Sequence, residues 1–322
     1  MAKLTFIHAA DLHLGAPFKG LSDFDASRAR ALSVATGQAY ATLIKTALDK
    51  KVDFVVLAGD TFDQKKPTHQ EHIQFLSGLK NLNAAGIPVY ICTGNHDPFI
   101  TWQNELRELP PNVSFFSAEG PSYFLFEKEG TPLCVLGGTG FKTSKWGDRK
   151  PLVGLSRRDM LQSSPHAADA EFAIGVLHTD LGKAYAPCTV NELTECGLDF
   201  WALGHIHKRY ADSSGAYAFA GCMQGHDINE AGTHGFNVVT LETSLPNKIE
   251  FVPSATIEWA QIFVDAGDCS SLKELYDKAL DAVLQRKEET EVLTNADLYV
   301  RVTLTGQTSL FSKLRHEDVV AE

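Results

Sequence analysis

Five times along this chain a short apolar run ends abruptly in Asp, Asn or His. Leu4-Thr-Phe-Ile-His8 leads into Asp11-Leu-His13, and Phe54-Val-Val-Leu57 stops at Ala58-Gly-Asp60. Pro88-Val-Tyr-Ile91 leads to Gly94-Asn-His-Asp97, Ala173-Ile-Gly-Val-Leu177 ends in His178, and Phe200-Trp-Ala-Leu203 ends in Gly204-His-Ile-His207. The runs at 54–57 and 88–91 lack polar/apolar alternation, as expected of strands buried on both faces of a sheet. Ligands of open α/β sheets bind beyond the carboxyl ends of the strands, so these polar side chains are expected to share one crevice.

The donor types narrow the chemistry. Carboxylate, amide oxygen and imidazole together suit a borderline cation such as Mn²⁺, Fe²⁺ or Zn²⁺ better than Ca²⁺. In Asp11-x-His13 and His205-x-His207 the donors stand two apart, which in an extended segment puts both on one face. Glycines precede Asp60, Asn95 and His205 and permit sharp turns and close backbone approach. Taken singly each motif has an ordinary reading, since Asp and Asn favour turns and a histidine at a strand end is often structural. The conjunction, in this order and each after an apolar run, carries the inference.

Between the runs the pattern is helical. Residues from about 25 to 50 carry Leu32, Ala35, Ala39, Leu43, Ala47 and Leu48 at helical spacing. A second helix is expected from Pro67-Thr68, with Thr68 and Glu71 as a capping box and Ile73, Leu76, Leu79 and Leu82 facing inward. Strands follow at about 113–116, 122–127, 133–138, 172–177, 199–203, 217–220, 236–241 and 248–252. From Thr256 the order becomes strand, helix, strand, helix; Ser271 and Glu274 form another candidate capping box, before a stripe of Leu272, Leu275, Tyr276, Ala279, Val283 and Leu284. The expected division is 1–254 for the α/β domain and 255–322 for a small C-terminal α+β segment, with the boundary at Pro253-Ser-Ala.

Strand-like residues begin at Lys3, leaving no room for a targeting segment, and no apolar run approaches the roughly 18–20 residues needed to cross a bilayer. Six cysteines without a Cys-x-x-Cys pair read as free thiols, so a cytoplasmic protein without a membrane anchor is expected.

The motif series resembles that of the calcineurin-like metallophosphoesterases: D-x-H, G-D, G-N-H-D/E, H and G-H-x-H, over about residues 3–242. His8-Ala-Ala-Asp-Leu-His-Leu-Gly15, Ala58-Gly-Asp-Thr-Phe-Asp63 and Gln224-Gly…Asn229-Glu-Ala-Gly232 are more closely similar to SbcD-type DNA repair nuclease subunits, in particular the YhaO-like branch. The resemblance implies a four-layer α/β/β/α sandwich with a C-terminal cap that continues beyond residue 322. It implies two divalent metal ions, Mn²⁺ first with Fe²⁺, Zn²⁺ or Mg²⁺ as alternatives. One would be held by Asp11, His13, Asp60 and His207, the second by Asp60, Asn95, His178 and His205. Such a pair clamps the attacking and leaving oxygens of an in-line displacement and supplies hydroxide at neutral pH. His96 would protonate the leaving alkoxide, with Asp97 orienting it. Two positions depart from the pattern: Asp63, where some double-strand-break nucleases carry a second active-site histidine, and His226, where an arginine is usual.

The net charge of −11 argues against a surface that grips nucleic acid throughout, though two divalent cations would offset four charges locally. Phe141-Lys-Thr-Ser-Lys-Trp-Gly-Asp-Arg-Lys150, continuing to Arg157-Arg158, is a basic segment with two aromatic rings, as a single-strand groove would use. Lys142, Lys145, Arg149, Lys208 and Arg209 are the candidate phosphate contacts, while Lys65-Lys66, His69 and His72 read as solvated positions. The leading expectation is a DNA exonuclease or endonuclease, with an SbcC-type coiled-coil ATPase partner and a homodimer implied by the resemblance. The alternatives are a phosphodiesterase or phosphatase acting on small nucleotides or phosphoproteins, and an inactive scaffold subunit.

Overall fold

The computed structural model describes residues 2–17, 26–63, 68–102, 108–182 and 184–314, which leaves Lys65, Lys66 and Pro67 outside the described residues. The strands are β1 Lys3–Ala9, β2 Phe54–Ala58, β3 Val89–Cys92, β4 Val113–Phe115, β5 Ser122–Lys128, β6 Thr131–Gly138 and β7 Phe172–His178. They continue as β8 Phe200–Gly204, β9 Tyr210–Ala211, β10 Tyr217–Phe219, β11 Gly235–Glu242, β12 Lys248–Pro253, β13 Ile257–Asp265 and β14 Asp297–Thr305. The helices are α1 Ala26–Lys50, α2 His69–Ala84, α3 Arg157–Leu161, α4 Val190–Glu195, α5 Leu272–Leu293 and α6 Phe311–Leu314. They form two compact units, Met1–Gln224 with His234–Ala255, and Gly225–Thr233 with Thr256–Glu322.

The first unit holds two six-stranded sheets, ordered β12-β11-β1-β2-β3-β4 and β5-β6-β7-β8-β10-β9. Strand alternation sorts their side chains into layers. Ile7, Val55, Leu57, Val89 and Ile91 pack outward against Ala39, Leu43, Phe75 and Leu79 of α1 and α2. Phe6, Phe54, Val56 and Tyr90 point the other way and meet Leu136, Ile174, Val176 and Phe200 of the second sheet. The outer face of that sheet is covered by Leu193 of α4 and Met160 of α3. The result is an α/β/β/α sandwich. β1, β2 and β3 run parallel, as do β7 and β8, so their carboxyl ends present one group of loops from each sheet.

α2 begins with the expected capping box between Thr68 and Glu71. Its phase differs from expectation: Phe75, Leu76, Leu79 and Leu82 are buried, whereas Ile73 is 52% exposed. Two residues separate Ile73 from Phe75, about 200° around the helix, and the Phe75 ring fits among Tyr40, Phe62 and Trp102.

In the second unit β13 and β14 pair in parallel, and α5 covers them through Leu272, Leu275, Ala279 and Ala282. Tyr276 and Leu284, expected on that stripe, are exposed. Ser271 caps α5 by accepting from Glu274 N at 3.2 Å, but the Glu274 carboxylate reaches back to Ser270, so the box is only half formed. Residues 225–233 pack on β13 through Trp259 Nε1–H to Gly225 O (2.9 Å) and Gln261 Nε2–H to Ile228 O (2.8 Å). The fully buried Glu258 carboxylate is balanced by Arg286, Thr290 and Thr233, so its charge is paired and hydrogen-bonded. In the same segment His226 turns its ring to Glu230 at 3.2 Å. All six cysteines are free thiols. Among the described residues no helix is long and apolar enough to cross a membrane.

Candidate metal centre

The loops after β1, β2, β3, β7 and β8 converge, and the backbone bends sharply to bring them together. Asp11, His13, Asp60 and His205 have φ of 49°, 41°, 51° and 92°, left-handed conformations that cost a side-chain-bearing residue about 1–3 kcal/mol each. The paired donors of Asp11-x-His13 and His205-x-His207 therefore meet through left-handed turns, not through the pleat of an extended strand as the spacing suggests. Backbone hydrogen bonds from Asp11 N to Gly59 O and from His13 N to Asp60 O, both 3.0 Å, stitch the first two loops together. Asp11 accepts His205 N on both carboxylate oxygens, at 3.1 and 3.0 Å, tying the loop after β8 to the loop after β1.

Among the clusters of donor atoms that result, one is made of Asp11, His13 and His207, another of Asp60, His178 and His205, and His13, Asp63 and His96 form a further one. In the first, His13 Nδ1–H donates to Asp63 Oδ1 at 3.1 Å, and His13 Nε2 faces His207 Nε2, also at 3.1 Å. Two ring nitrogens aimed at each other share at most one proton, and a cation satisfies both lone pairs. In the second, His178 Nδ1–H donates to Ala58 O at 2.9 Å, which turns Nε2 toward Asp60 Oδ2 at 3.2 Å and Asn95 Oδ1 at 3.1 Å. His205 Nδ1 reaches the same Asn95 oxygen at 3.1 Å. Asp60 stands between the clusters, with Oδ2 also 3.9 Å from His13 Nε2.

The electrostatics match a site built for positive charge. Burial opposes ionisation of Asp60, but His178, His13 and His96 outweigh it and hold the carboxyl well below the usual range. Burial pulls His178 down, yet the Asp60 charge and hydrogen bond push it up to about 9. That proton bridges carboxylate and imidazole as a cation would, so loading a metal must release it. Burial, then the charge on His178, lowers His205 to about 4, and burial lowers His13, which keeps their lone pairs bare.

Asp97 does not orient His96. Its Oδ1 accepts Asp60 N (3.1 Å) and Gly94 N (2.9 Å) and its Oδ2 accepts Thr61 N (2.9 Å), so both oxygens are spent on the turns after β2 and β3. Burial and the Asp60 charge push this carboxyl up to about 7. The group beside His96 is Asp63: its carbonyl accepts His96 Nδ1–H at 3.1 Å, and its carboxylate lies 3.6 Å from the same nitrogen. His96, with its side chain 45% exposed, sits at the rim, while its backbone N–H donates to Asp60 Oδ1 at 2.8 Å. The Gly-Asp-x-x-Asp spacing that ends at Asp63 was the available signal for this pairing.

Of the expected basic groove, the aromatic rings and two arginines are used internally, while the three lysines are exposed. Phe141 and Trp146 are core residues at 0% and 3% exposure, not free stacking rings. Arg149 folds inward over Trp146 and donates to Ala118 O at 2.6 Å. Arg209 lies over the Phe251 ring and donates to Asn237 Oδ1 at 3.0 Å. Lys142 is exposed and paired with Glu119 at 2.9 Å, and Lys145 and Lys208 are exposed. His69 is exposed, while His72 lies 3.2 Å from Glu108.

Residues 4–209 match the calcineurin-like phosphoesterase family. The chain belongs to that family. It is 30% identical over 313 residues to the uncharacterized metallophosphoesterase YhaO of Bacillus subtilis strain 168, covering 95% of this chain and 72% of that protein. It is 26% identical over 287 residues to the DNA double-strand break repair protein Mre11 of Aeropyrum pernix, covering 86% of this chain and 68% of that one. It is 30% identical over 137 residues to a component of the nuclease SbcCD of Escherichia coli K12, covering 41% of this chain and 32% of that one.

Calcineurin-like phosphoesterases use a dinuclear divalent metal centre, and the facing nitrogens and the carboxylate between the clusters fit one. Behind it lies a residue the motifs did not single out. His8, fully buried, uses Nε2 to donate to Leu203 O at 3.0 Å, and its Nδ1 has no hydrogen-bond partner. Burial, the dominant cause, pushes it down to about 4. Between pH 6.5 and 4 the unfolded chain therefore binds a proton that the folded one excludes, and stability falls as pH drops. His8 should account for about 2 kcal/mol of lost stability between pH 7.5 and pH 5 in chelated protein. Denaturant titrations at the two pH values should show a correspondingly smaller loss in His8→Leu than in the wild type.

Proposed function

We propose that this chain is a metal-dependent phosphodiesterase that cleaves DNA. The observation that carries the chemistry is Asp60, a buried carboxylate that lies between two sets of imidazole, carboxylate and amide donors. One ion is assigned to Asp11, His13, Asp60 and His207, the other to Asp60, Asn95, His178 and His205. When bound, the ions supply hydroxide near neutral pH and neutralise charge on the phosphodiester. His96 serves as the proton donor: Asp63 O accepts its Nδ1–H, so Nε2–H is the proton passed to the leaving oxygen as the P–O bond breaks. Asp63 positions that ring and, through His13 Nδ1, a metal ligand as well.

DNA as substrate is supported by relatives named as a DNA double-strand break repair protein and as part of a nuclease. Assembly with a coiled-coil ATPase partner follows from the motif resemblance, and the six free thiols suit a reducing cytoplasm. A second reading, hydrolysis of small phosphodiesters, is favoured by one observation: Phe141 and Trp146 are buried and Arg149 is folded over Trp146 onto the Ala118 carbonyl, so these three do not line a groove.

The test is hydrolysis of single- and double-stranded DNA and of bis-p-nitrophenyl phosphate by metal-stripped protein with Mn²⁺ restored. His96→Ala should lower kcat by about 10²–10⁴-fold while Mn²⁺ binding is retained. Cleavage of the small diester alone moves the substrate to small nucleotides, and unchanged turnover in His96→Ala removes His96 from the mechanism.

A further inference from the structure

Metal-ligating imidazoles are usually oriented by a hydrogen bond on the nitrogen that does not face the metal. His13 uses Asp63 in this way and His178 uses the Ala58 carbonyl. His205 differs. Its Nδ1 faces Asn95 and His178, but among the described residues no hydrogen bond is made by its Nε2. A flat ring takes that place: Tyr185 lies against His205 with ring centroids 4.3 Å apart and planes 31° from parallel.

Tyr185 is itself firmly placed. Its carbonyl accepts Asp180 N at 3.2 Å, and the carbonyl of the next residue, Ala186, accepts Thr179 Oγ1–H at 2.9 Å. The loop thus folds back onto the end of β7, where Thr179 N also donates to Gly204 O at 3.1 Å. Leu181 and Ala186 hold left-handed φ of 48° and 46°, and Ala186 is fully buried. Side-chain-bearing residues keep such conformations only when the surroundings over-determine them. The strained loop delivers a half-buried aromatic ring to one metal-site histidine.

We propose that Tyr185 is a positioning residue whose ring, stacked on His205, holds that imidazole with Nδ1 turned toward Asp60, Asn95 and His178. The stack takes the place of the hydrogen bond that orients His13 and His178. The inference rests on the dinuclear reading above. It also goes beyond it, because it makes one of the two ion sites depend on a residue that is not among the proposed ligands. The flat ring matters and the hydroxyl does not, since Tyr185 Oη makes no hydrogen bond among the described residues.

The experiment is Mn²⁺ titration of the metal-stripped full chain by calorimetry, with electron paramagnetic resonance of the loaded protein, for wild type, Tyr185→Phe, Tyr185→Leu and Tyr185→Ala. Wild type and Tyr185→Phe should bind two ions and give a spin-coupled spectrum. Tyr185→Leu and Tyr185→Ala should bind one ion normally and the other about 10–100-fold more weakly, with the uncoupled six-line spectrum appearing at matched loading. Circular dichroism on each variant separates misfolding from lost positioning, and the leucine variant fills the space without a flat face. Two tight ions in Tyr185→Leu and Tyr185→Ala overturn the role of Tyr185 and leave the dinuclear reading standing. A wild type that binds fewer than two ions overturns both.

Discussion

Asp60→Asn should reduce phosphodiester turnover by at least about 10³-fold and bring Mn²⁺ stoichiometry below two. The carboxylate is 1% exposed, and its Oδ2 lies 3.2 Å from His178 Nε2 and 3.9 Å from His13 Nε2, so it reaches a donor of each cluster. An amide has the same shape without the charge, and it places a donor where an acceptor is needed. On the proposed assignment, both ion sites would lose a ligand at once. The folded protein should not suffer in the same proportion. In the metal-free protein, removing the Asp60 charge relieves its repulsion of the buried Asp97 carboxyl but also breaks the buried pair with His178, which gives up its extra proton. Chelated Asp60→Asn should therefore melt somewhat below chelated wild type, and the rise in Tm on adding Mn²⁺ should shrink. A melting point that falls in chelator as far as turnover does would assign Asp60 to the fold and not to the metals.

Gly204→Ala should destabilise the protein by about 3 kcal/mol through overpacking between the sheets. A Cβ at this position would overlap the carbonyl of Ala58 at the end of β2 and press on Ala10 beyond β1, both in the first sheet. Gly204 ends β8, in the second sheet and in register with His178. The substitution therefore pushes the sheets apart at the point where Asp60 and His178 must meet, and metal binding should weaken together with stability. Gly86→Ala is the control. It stands at φ 72° with nothing near its Cβ, so only backbone strain of about 1 kcal/mol applies. Equal losses of ΔG in the two variants, measured by denaturant titration, would refute the steric account of Gly204.

Much of this could be read directly from residue order. The buried runs, the helices between them and the Thr68–Glu71 cap follow from local periodicity and capping chemistry, which depend on neighbours a few residues away. The motif series located the site because strand ends in a parallel sheet are brought together by topology, whatever the loop details. Faces of helices were less legible. Ile73 and Phe75 differ little in hydrophobicity, and the aromatic cluster of Tyr40, Phe62 and Trp102 decides which one is buried.

The basic segment at 141–150 shows the same limit in charge. Its composition suited a groove for nucleic acid, yet Phe141, Trp146 and Arg149 are used inside the unit, because an arginine with carbonyl acceptors and a ring beneath it can be folded inward. No pattern of charges along a chain reveals where its acceptors will be.

Residue order alone specifies the donor types, their succession and the strands that carry them. The groups that orient those donors emerge with the closed fold: Asp63 and not Asp97 beside His96, the Ala58 carbonyl behind His178, and Tyr185 against His205. Donor chemistry is a property of single residues and survives in the linear text. Orientation depends on hydrogen bonds and ring contacts between segments far apart in the chain, 120 residues for His178 and Ala58 and 194 for His205 and Asp11, and these distances exist only once both sheets have closed on each other.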